Sequence, residues 1–249
     1  PLAGSGGDTW LGDRTGNLFR LPAAGEPERI RLQDPDGLGA GIFGVDAASA
    51  LAPGGGGLFL AGLKLLVVEA DGRISRAHDF GAIVRKVVRG DDSTYWLDVT
   101  EAFAETGAVV RWDPGTDSRQ RIELPRPVVG LASAEGWTVA AVDTGPGRVA
   151  LYELGAAASV ALVEFDLPSG PVHLALRPAL RQVVVASGGI GVVDDDGVTI
   201  LVGGALLVDA SEGPLAAADV SSVLGVALSA DGSLAFVADT GGLKAFALP

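Results

Sequence analysis

The chain contains no Cys and no Met, and only two His and one Asn among its 249 residues. Without Cys, neither a disulfide framework nor a thiolate metal site can form. Two His exclude a His-cluster metal site and leave little material for a catalytic triad. Apolar runs are short as well, since the stretch 58–68 is broken by Gly62 and Lys64. No segment therefore reaches the roughly 20 residues of a membrane-spanning helix.

Basic charge is also scarce. The chain holds 18 Lys and Arg against 31 Asp and Glu, a formal net charge of -13. A surface of this sign repels phosphate backbones, so nucleic acid is not an expected partner. Fourteen of the 18 basic residues precede position 127, and we expect the C-terminal half to be the more acidic.

The sequence begins at Pro1 and lacks Met throughout, which is typical of a processed mature protein or an excised segment. A removed export signal is the favoured explanation. We therefore expect a periplasmic or extracellular location for a bacterial, surface-associated protein, with a cytoplasmic location as the alternative.

The chain is rich in turn-forming residues, with 37 Gly and 14 Pro, and short apolar segments recur between them. Six similar segments end in a small or acidic residue and precede a turn and a second apolar segment. They are residues 9–13 (TWLGD), 58–62 (LFLAG), 94–98 (TYWLD), 138–143 (TVAAVD), 182–187 (QVVVAS) and 234–239 (LAFVAD). Their mean spacing of about 45 residues is typical of a four-stranded propeller blade.

These repeats predict an all-β fold, a single β-propeller domain over residues 1–249 with about six four-stranded blades. Seven blades or a β-sandwich are the alternatives. Each recurring segment is expected to be the second strand of its blade; in the fifth copy the third strand is expected at 190–194 and the fourth at 198–202. The first copy lacks a recognisable innermost strand, and the last lacks an outermost one. The stretch 206–222 is too long for a turn between blades and is expected to hold either an extra strand and a loop or the remains of a further blade.

The final segment, 228–248 (LSADGSLAFVADTGGLKAFAL), resembles the YVTN and lactonase-like propeller repeats. In those repeats an Asp-Gly turn leads into a strand that ends in an acid or Asn. The resemblance implies a propeller, a fold that serves enzymes, sensors and scaffolds alike. Metal-dependent lactonases of this class are expected to place Glu, Asn and Asp at channel-facing strand ends. The single Asn of this chain, Asn17, is expected in a turn, which argues against that activity.

Four carboxylates end predicted second strands: Asp13, Asp98, Asp143 and Asp239. In a closed propeller they would form an interrupted acidic ring able to hold a hard cation such as calcium. The favoured interpretation is structural, because Asp at a strand end accepts hydrogen bonds from nearby backbone amides. Calcium remains a hypothesis, and no other cofactor is expected.

His173 is expected on a first strand, which lines the channel of a propeller, and Arg177 follows it in the same strand. A channel histidine could act as a general base, with Arg177 binding an anion beside it. The alternative is a polar residue that lines the channel without chemistry, and this is favoured. His78 is expected on an outer strand, exposed to solvent.

The segment 100–107 (TEAFAETG) interrupts the third copy and is long enough for a helical turn that displays Phe103 to a partner. We therefore expect a non-enzymatic binding or scaffold module with a protein partner. The competing hypothesis is a lactonase-like or lyase-like enzyme whose site lies in the central channel around His173 and Arg177.

Overall fold

The structure is a computed structural model. It describes residues 2–5, 8–12, 18–22, 26–30, 33, 36–37, 46–51, 57–61, 64–69, 71–90, 93–167, 172–193, 199–220 and 223–249. The contacts divide the chain into two compact units, one of residues 1–104 with 108–121 and one of residues 105–107 with 122–249. The single domain expected over 1–249 stays a prediction. Among the described residues, no helix is long and apolar enough to cross a membrane.

The first half of the chain forms three antiparallel sheets of four strands each, and consecutive strands are neighbours in every sheet. The first sheet contains β1 (Leu2–Ser5), β2 (Asp8–Gly12), β3 (Leu18–Leu21) and β4 (Glu28–Ile30). The second contains β5 (Asp46–Leu51), β6 (Gly57–Ala61), β7 (Lys64–Val68) and β8 (Ile74–Asp79). The third contains β9 (Lys86–Arg89), β10 (Tyr95–Asp98), β11 (Gly107–Asp113) and β12 (Ser118–Leu124).

The second half forms two further four-stranded sheets and one of three strands. The fourth sheet contains β13 (Val128–Ala134), β14 (Trp137–Gly145), β15 (Arg148–Leu154) and β16 (Ser159–Asp166). The fifth contains β17 (Val172–Arg177), β18 (Gln182–Val193), β19 (Thr199–Asp209) and β20 (Gly213–Val220), with a short 3-10 turn at Pro178–Leu180. The sixth contains β21 (Val223–Leu228), β22 (Leu234–Asp239) and β23 (Gly242–Ala247).

The six recurring segments are the second strands of the six sheets, as the repeat predicts. Tight turns join many neighbouring strands, and a positive φ at Gly72, Gly232 and Gly242 supplies the left-handed backbone that such turns require. Among the described residues, the sixth sheet contains three strands, and the expectation that the last copy lacks an outermost strand stays a prediction.

Two expectations about individual strands were wrong. The first copy does possess an innermost strand, because β1 pairs with β2 from Leu2↔Leu11 to Ser5↔Asp8. In the fifth sheet, the segments around 190–194 and 198–202 lengthen the hairpin of β18 and β19 and do not form separate third and fourth strands. The pairing continues past the glycines at 188 and 189 by means of a shift in register between Ser187 and Ile190.

The described core of the first unit lies between the second and third sheets. Leu65 and Val67 of β7 pack with Tyr95, Leu97 and other residues of the third sheet in one buried cluster. Trp112 is the largest fully buried side chain of this cluster. Its ring lies 5.7 Å from that of Tyr95 and meets the edge of Phe80 at 5.6 Å. Aromatic bulk therefore fills the space between these two sheets.

In the second unit, the fourth and fifth sheets share a buried cluster that includes Val139, Leu151, Val172 and Val185. The two sheets approach each other closely where their first strands meet. A Cβ atom placed on Gly130 of β13 would lie 2.9 Å from the carbonyl oxygen of Val172 and 3.3 Å from its side chain. Glycine at position 130 is therefore required by the spacing of the two sheets.

Replacing Gly130 with Ala is expected to destabilise the protein by about 1–3 kcal/mol, because the new methyl group overlaps the backbone of β17. The matched control is Gly225→Ala in β21, where a Cβ atom would meet nothing within 4 Å. We expect that control to lie within about 1 kcal/mol of the parent protein. Urea unfolding measures both, and equal stabilities for the two variants would contradict the proposed contact.

Candidate functional site

Asp98 ends β10 as a buried carboxylate with several polar neighbours. Its Oδ1 atom accepts a hydrogen bond from the backbone N–H of Thr100 at 2.9 Å. Arg85 Nε lies 3.9 Å from Oδ2 of Asp98, and Lys86 on the neighbouring strand β9 is the register partner of Asp98.

Burial raises the pKa of Asp98 although the bonds from Thr100 oppose the shift. Burial likewise lowers the pKa of Lys86. The sequence analysis missed Arg85 and Lys86, although their place opposite Asp98 in a hairpin is a signal that could have found them.

Two other strand-end carboxylates accept backbone hydrogen bonds in the same way. Oδ1 of Asp143 accepts from the N–H of Gly145 at 3.0 Å, and Oδ1 of Asp239 accepts from Gly241 at 2.8 Å. Asp239 also binds the Lys244 amine, with 2.7 Å between Oδ2 and Nζ. Each carboxylate thus bonds to an amide two residues further along, as the structural interpretation of these residues predicts. Asp13, the fourth candidate, lies outside the described residues.

The described part of the chain holds no group of three or more His, Asp or Glu residues placed to bind a metal ion. Asp98 belongs to the first compact unit, whereas Asp143 and Asp239 belong to the second. The acidic ring and its calcium therefore stay a hypothesis.

His173 and Arg177 lie on β17 at positions four residues apart, and both are half-buried. Because a strand rises roughly 3.3 Å per residue, the two positions are about 13 Å apart along it. The expectation that Arg177 binds an anion beside His173 stays a prediction. Arg177 Nη1 donates to the Gln182 side chain at 2.7 Å and to the carbonyl oxygen of Pro249 at 3.0 Å.

A cavity of about 310 Å³ lies next to Arg177, lined by the turns that join the first and second strands of the fourth, fifth and sixth sheets. Glu135, Pro178 and Asp231 belong to its lining, and His173 does not. Oδ1 of Asp231 accepts hydrogen bonds from both Ser229 and Ser233, and the bond from the Ser229 hydroxyl is the main reason that its pKa falls to about 2. Among the sequence candidates that the structure describes, Arg177 alone lines this cavity.

Phe103 lies in the turn between β10 and β11, and its side chain is fully exposed. The turn is held by a hydrogen bond from the N–H of Ala104 to the carbonyl oxygen of Glu101, at 3.2 Å. Phe103 has a φ of 63°, in the left-handed region that a bulky residue rarely adopts. The described backbone forms turns here and not the expected helical turn.

A polar cluster joins the second and third sheets around Asp117. Its Oδ1 atom accepts from Trp112 Nε1 at 2.9 Å and from Arg119 Nη2 at 3.0 Å, and it lies 3.5 Å from His78 Nδ1. The hydrogen bond from Trp112 is the main cause that lowers the pKa of Asp117. The guanidinium of Arg119 also lies over the ring of Phe80, at 4.4 Å from its centroid. This cluster ties a turn of the third sheet to β8.

The expectation that His78 is exposed was wrong, because its side chain is only 11% exposed. Trp112 covers it, with the two rings 4.6 Å apart in an edge-on arrangement. The Nε2 atom is buried and has no hydrogen-bond partner among the described residues. Burial lowers the pKa of His78, and this outweighs the attraction of Asp117 for the protonated form.

Six antiparallel sheets, each built from consecutive neighbouring strands, define a class of fold, and the chain is a β-propeller of about six blades. No protein-family model matches the chain. No curated protein matches it either.

Solved structures show the likeness directly. The WD40 domain of Neurospora crassa Pan2 is similar with a TM-score of 0.68 at 12% identity, over 100% of this chain and 74% of that one. Hsv2 of Kluyvelomyces marxianus is similar with a TM-score of 0.61 at 12% identity, over 97% of this chain and 69% of that one. A luciferin-regenerating enzyme is similar with a TM-score of 0.58 at 11% identity, over 94% and 80%. At such identities these likenesses show the fold alone.

The two interpretations of the strand-end carboxylates predict different behaviour of Asp143 variants. If the role of Asp143 is to accept a hydrogen bond in its turn, Asp143→Ala should lower the free energy of unfolding by about 1 kcal/mol. Asp143→Asn keeps an acceptor oxygen, so its stability should stay close to that of the parent protein. Added calcium should then leave the melting temperature of all three proteins unchanged. A calcium-dependent rise in the parent that Asp143→Asn abolishes would establish the carboxylate as a metal ligand.

His78 should make the stability fall in mild acid. Its pKa is lowered in the folded state, so the unfolded chain binds the proton more readily. The free energy of unfolding should therefore decrease as the pH drops below the ordinary histidine value of about 6.5. His78→Phe should lose less stability between about pH 7.5 and pH 5.5 than the parent protein. The control is His173→Phe, and urea midpoints at the two pH values decide whether His78 alone changes the slope.

Proposed function

We propose that this β-propeller is a non-enzymatic protein-binding module that presents the β10–β11 turn to a partner protein. The observation that carries the proposal is Phe103, an aromatic side chain that is fully exposed on a backbone of positive φ. Propeller neighbours with WD40 domains are compatible with this class of function and do not identify a partner.

Two costs make the exposure of Phe103 informative. An aromatic side chain in water forgoes the roughly 1.5–3 kcal/mol that burial would contribute. A bulky residue at positive φ adds about 1–3 kcal/mol of backbone strain. Burial of the ring by a partner would recover the first cost, and aromatic anchors in desolvated pockets dominate many protein interfaces.

The residues that flank Phe103 suggest the chemistry of the partner. Glu101, Ala102 and Glu105 are all exposed in the same segment. Lys or Arg residues around an apolar pocket for Phe103 would therefore be complementary in charge to Glu101 and Glu105. Charges at the rim of an interface steer association.

A second candidate is a small-molecule or enzymatic site at the cavity beside Arg177. Its volume of about 310 Å³ reaches the lower limit of typical ligand pockets. Converging polar groups would be needed for lactonase-like or lyase-like chemistry, and His173 is not part of this lining.

The location outside the cytoplasm that we expect from the sequence stays a prediction, which fractionation of the producing cells tests.

Phe103→Ser and His173→Ala separate the two functions. In a protein-binding module, Phe103→Ser should reduce partner capture by a photo-crosslinker placed at Ala102 at least tenfold, while His173→Ala should have no effect. Both variants should melt close to the parent, because Phe103 is fully exposed and His173 is only half-buried.

The contrary result is turnover of a lactone or ester that His173→Ala abolishes and Phe103→Ser leaves intact. Crosslinking at Ala102 that is indifferent to Phe103→Ser would also count against the proposed anchor.

A further inference from the structure

Lys86 and Asp98 stand directly opposite each other on neighbouring strands of the third sheet. They are register partners in the antiparallel pair of β9 and β10. Opposite residues of such a pair direct their side chains to the same face of the sheet, with Cβ atoms about 5 Å apart. The Lys86 amine and the Asp98 carboxylate therefore share one face, and both residues belong to the first compact unit.

The Asp98 carboxylate is held in place by neighbours other than Lys86. Its Oδ1 atom accepts from the Thr100 N–H at 2.9 Å, and the Thr100 hydroxyl also donates to the carboxylate. Arg85 Nε lies 3.9 Å from Oδ2. These contacts fix the carboxylate opposite Lys86 without using the lysine amine.

Burial gives the two groups the protonation states that carbonyl chemistry requires. Lys86 is half-buried and Asp98 is buried. Burial lowers the pKa of Lys86, and the charge of Asp98 opposes this shift without cancelling it. Burial also raises the pKa of Asp98. A desolvated lysine amine that has lost its proton is a nucleophile, and a carboxyl group with a raised pKa can supply a proton. The pair therefore places a nucleophile and an acid on one face.

Arg85 selects the class of carbonyl compound. Its side chain is 45% exposed, so a ligand can reach the guanidinium beside the buried Asp98. Guanidinium groups bind planar carboxylates through paired hydrogen bonds. A 2-oxo acid carries a carboxylate directly next to its ketone, and one small molecule of this class can therefore engage Arg85 and Lys86 together. A neutral ketone can engage only Lys86.

We propose that Lys86 binds a small 2-oxo acid covalently as an imine, with Asp98 as the proton donor and Arg85 as the partner of the ligand carboxylate. The inference goes beyond the proposed function, because it concerns stoichiometric binding of a small molecule and not the capture of a protein.

The bonds and protons of this step balance without a further reactant. The unprotonated amine of Lys86 attacks the ketone carbon, and one amine proton moves to the ketone oxygen to give a carbinolamine. The Asp98 carboxyl group then gives its proton to the carbinolamine hydroxyl, which leaves as water. The products are a protonated imine, one water molecule and the Asp98 carboxylate, whose negative charge stabilises the imine cation.

The test offers pyruvate and cyanoborohydride to the whole chain, because this reagent reduces an imine to a stable carboxyethyl group on the lysine. The chain has three lysines, Lys64, Lys86 and Lys244, and mass spectrometry of its peptides follows each of them. At neutral pH, Lys86 should be labelled at least tenfold faster than the other two. Unfolding in urea should abolish this difference. Hydroxyacetone, a neutral ketone of similar size, should label Lys86 more slowly than pyruvate.

Asp98→Asn tests the proton donor. It keeps an acceptor oxygen for Thr100 but removes the acid, so labelling of Lys86 by pyruvate should fall at least tenfold. Acetylation of Lys86 by acetic anhydride, which needs no acid, should not become slower. The matched control is Asp143→Asn, whose carboxylate also accepts a backbone hydrogen bond, and it should leave both reactions unchanged. Arg85→Gln should remove the preference for pyruvate over hydroxyacetone.

Three results would overturn the inference. They are equal labelling of the three lysines in the folded parent protein, equal rates for pyruvate and hydroxyacetone, and labelling of Lys86 that Asp98→Asn does not slow. The first two comparisons use only the parent protein and do not depend on the folding of a variant. Phe103→Ser should leave the labelling unchanged, so failure here and failure of the proposed function are distinguishable.

Discussion

The third and fourth sheets depend on being apolar on both faces. A strand with one covered face alternates between buried and exposed residues, but the second strands of the third and fourth sheets are buried at successive positions. All four residues of β10 are buried, and so are the first six of β14. A strand of this kind is stable only if another layer covers each face. Trp112 and the close approach of Gly130 to Val172 show how tightly neighbouring sheets meet.

This constraint also locates the features available for binding. The inner strands are buried by packing between sheets, and the exposed side chains that could bind a ligand lie in turns and on outer strands. Phe103 occupies a turn, and the cavity beside Arg177 is lined by three turns. A partner can therefore bind at these places without disturbing the layers that hold the propeller together.

Buried polar groups follow the same logic. Asp98 is buried at the end of a strand, where the Thr100 amide and two nearby cations compensate its charge only in part, so burial still raises its pKa. Asp117 lies at the surface and orders Trp112 and Arg119 around it. His78 Nε2 and Trp137 Nε1 are exceptions, since both atoms are buried without a described partner. The cost at His78 grows in acid, because burial lowers its pKa.

The amino-acid sequence alone determined the class of fold, because the recurrence of apolar segments and turns is a local property of the chain. Periodicity located the second strands of all six described sheets. It missed β1 and misjudged β18, since strand pairing is a contact between segments and the glycines at 188 and 189 read locally as a turn.

Tertiary structure alone decided the environment of each candidate residue. Only packing could show that Trp112 covers His78 and that the carboxylate of Asp98 is buried. Burial and pairing arise from residues far apart in the chain, so no local pattern contains them.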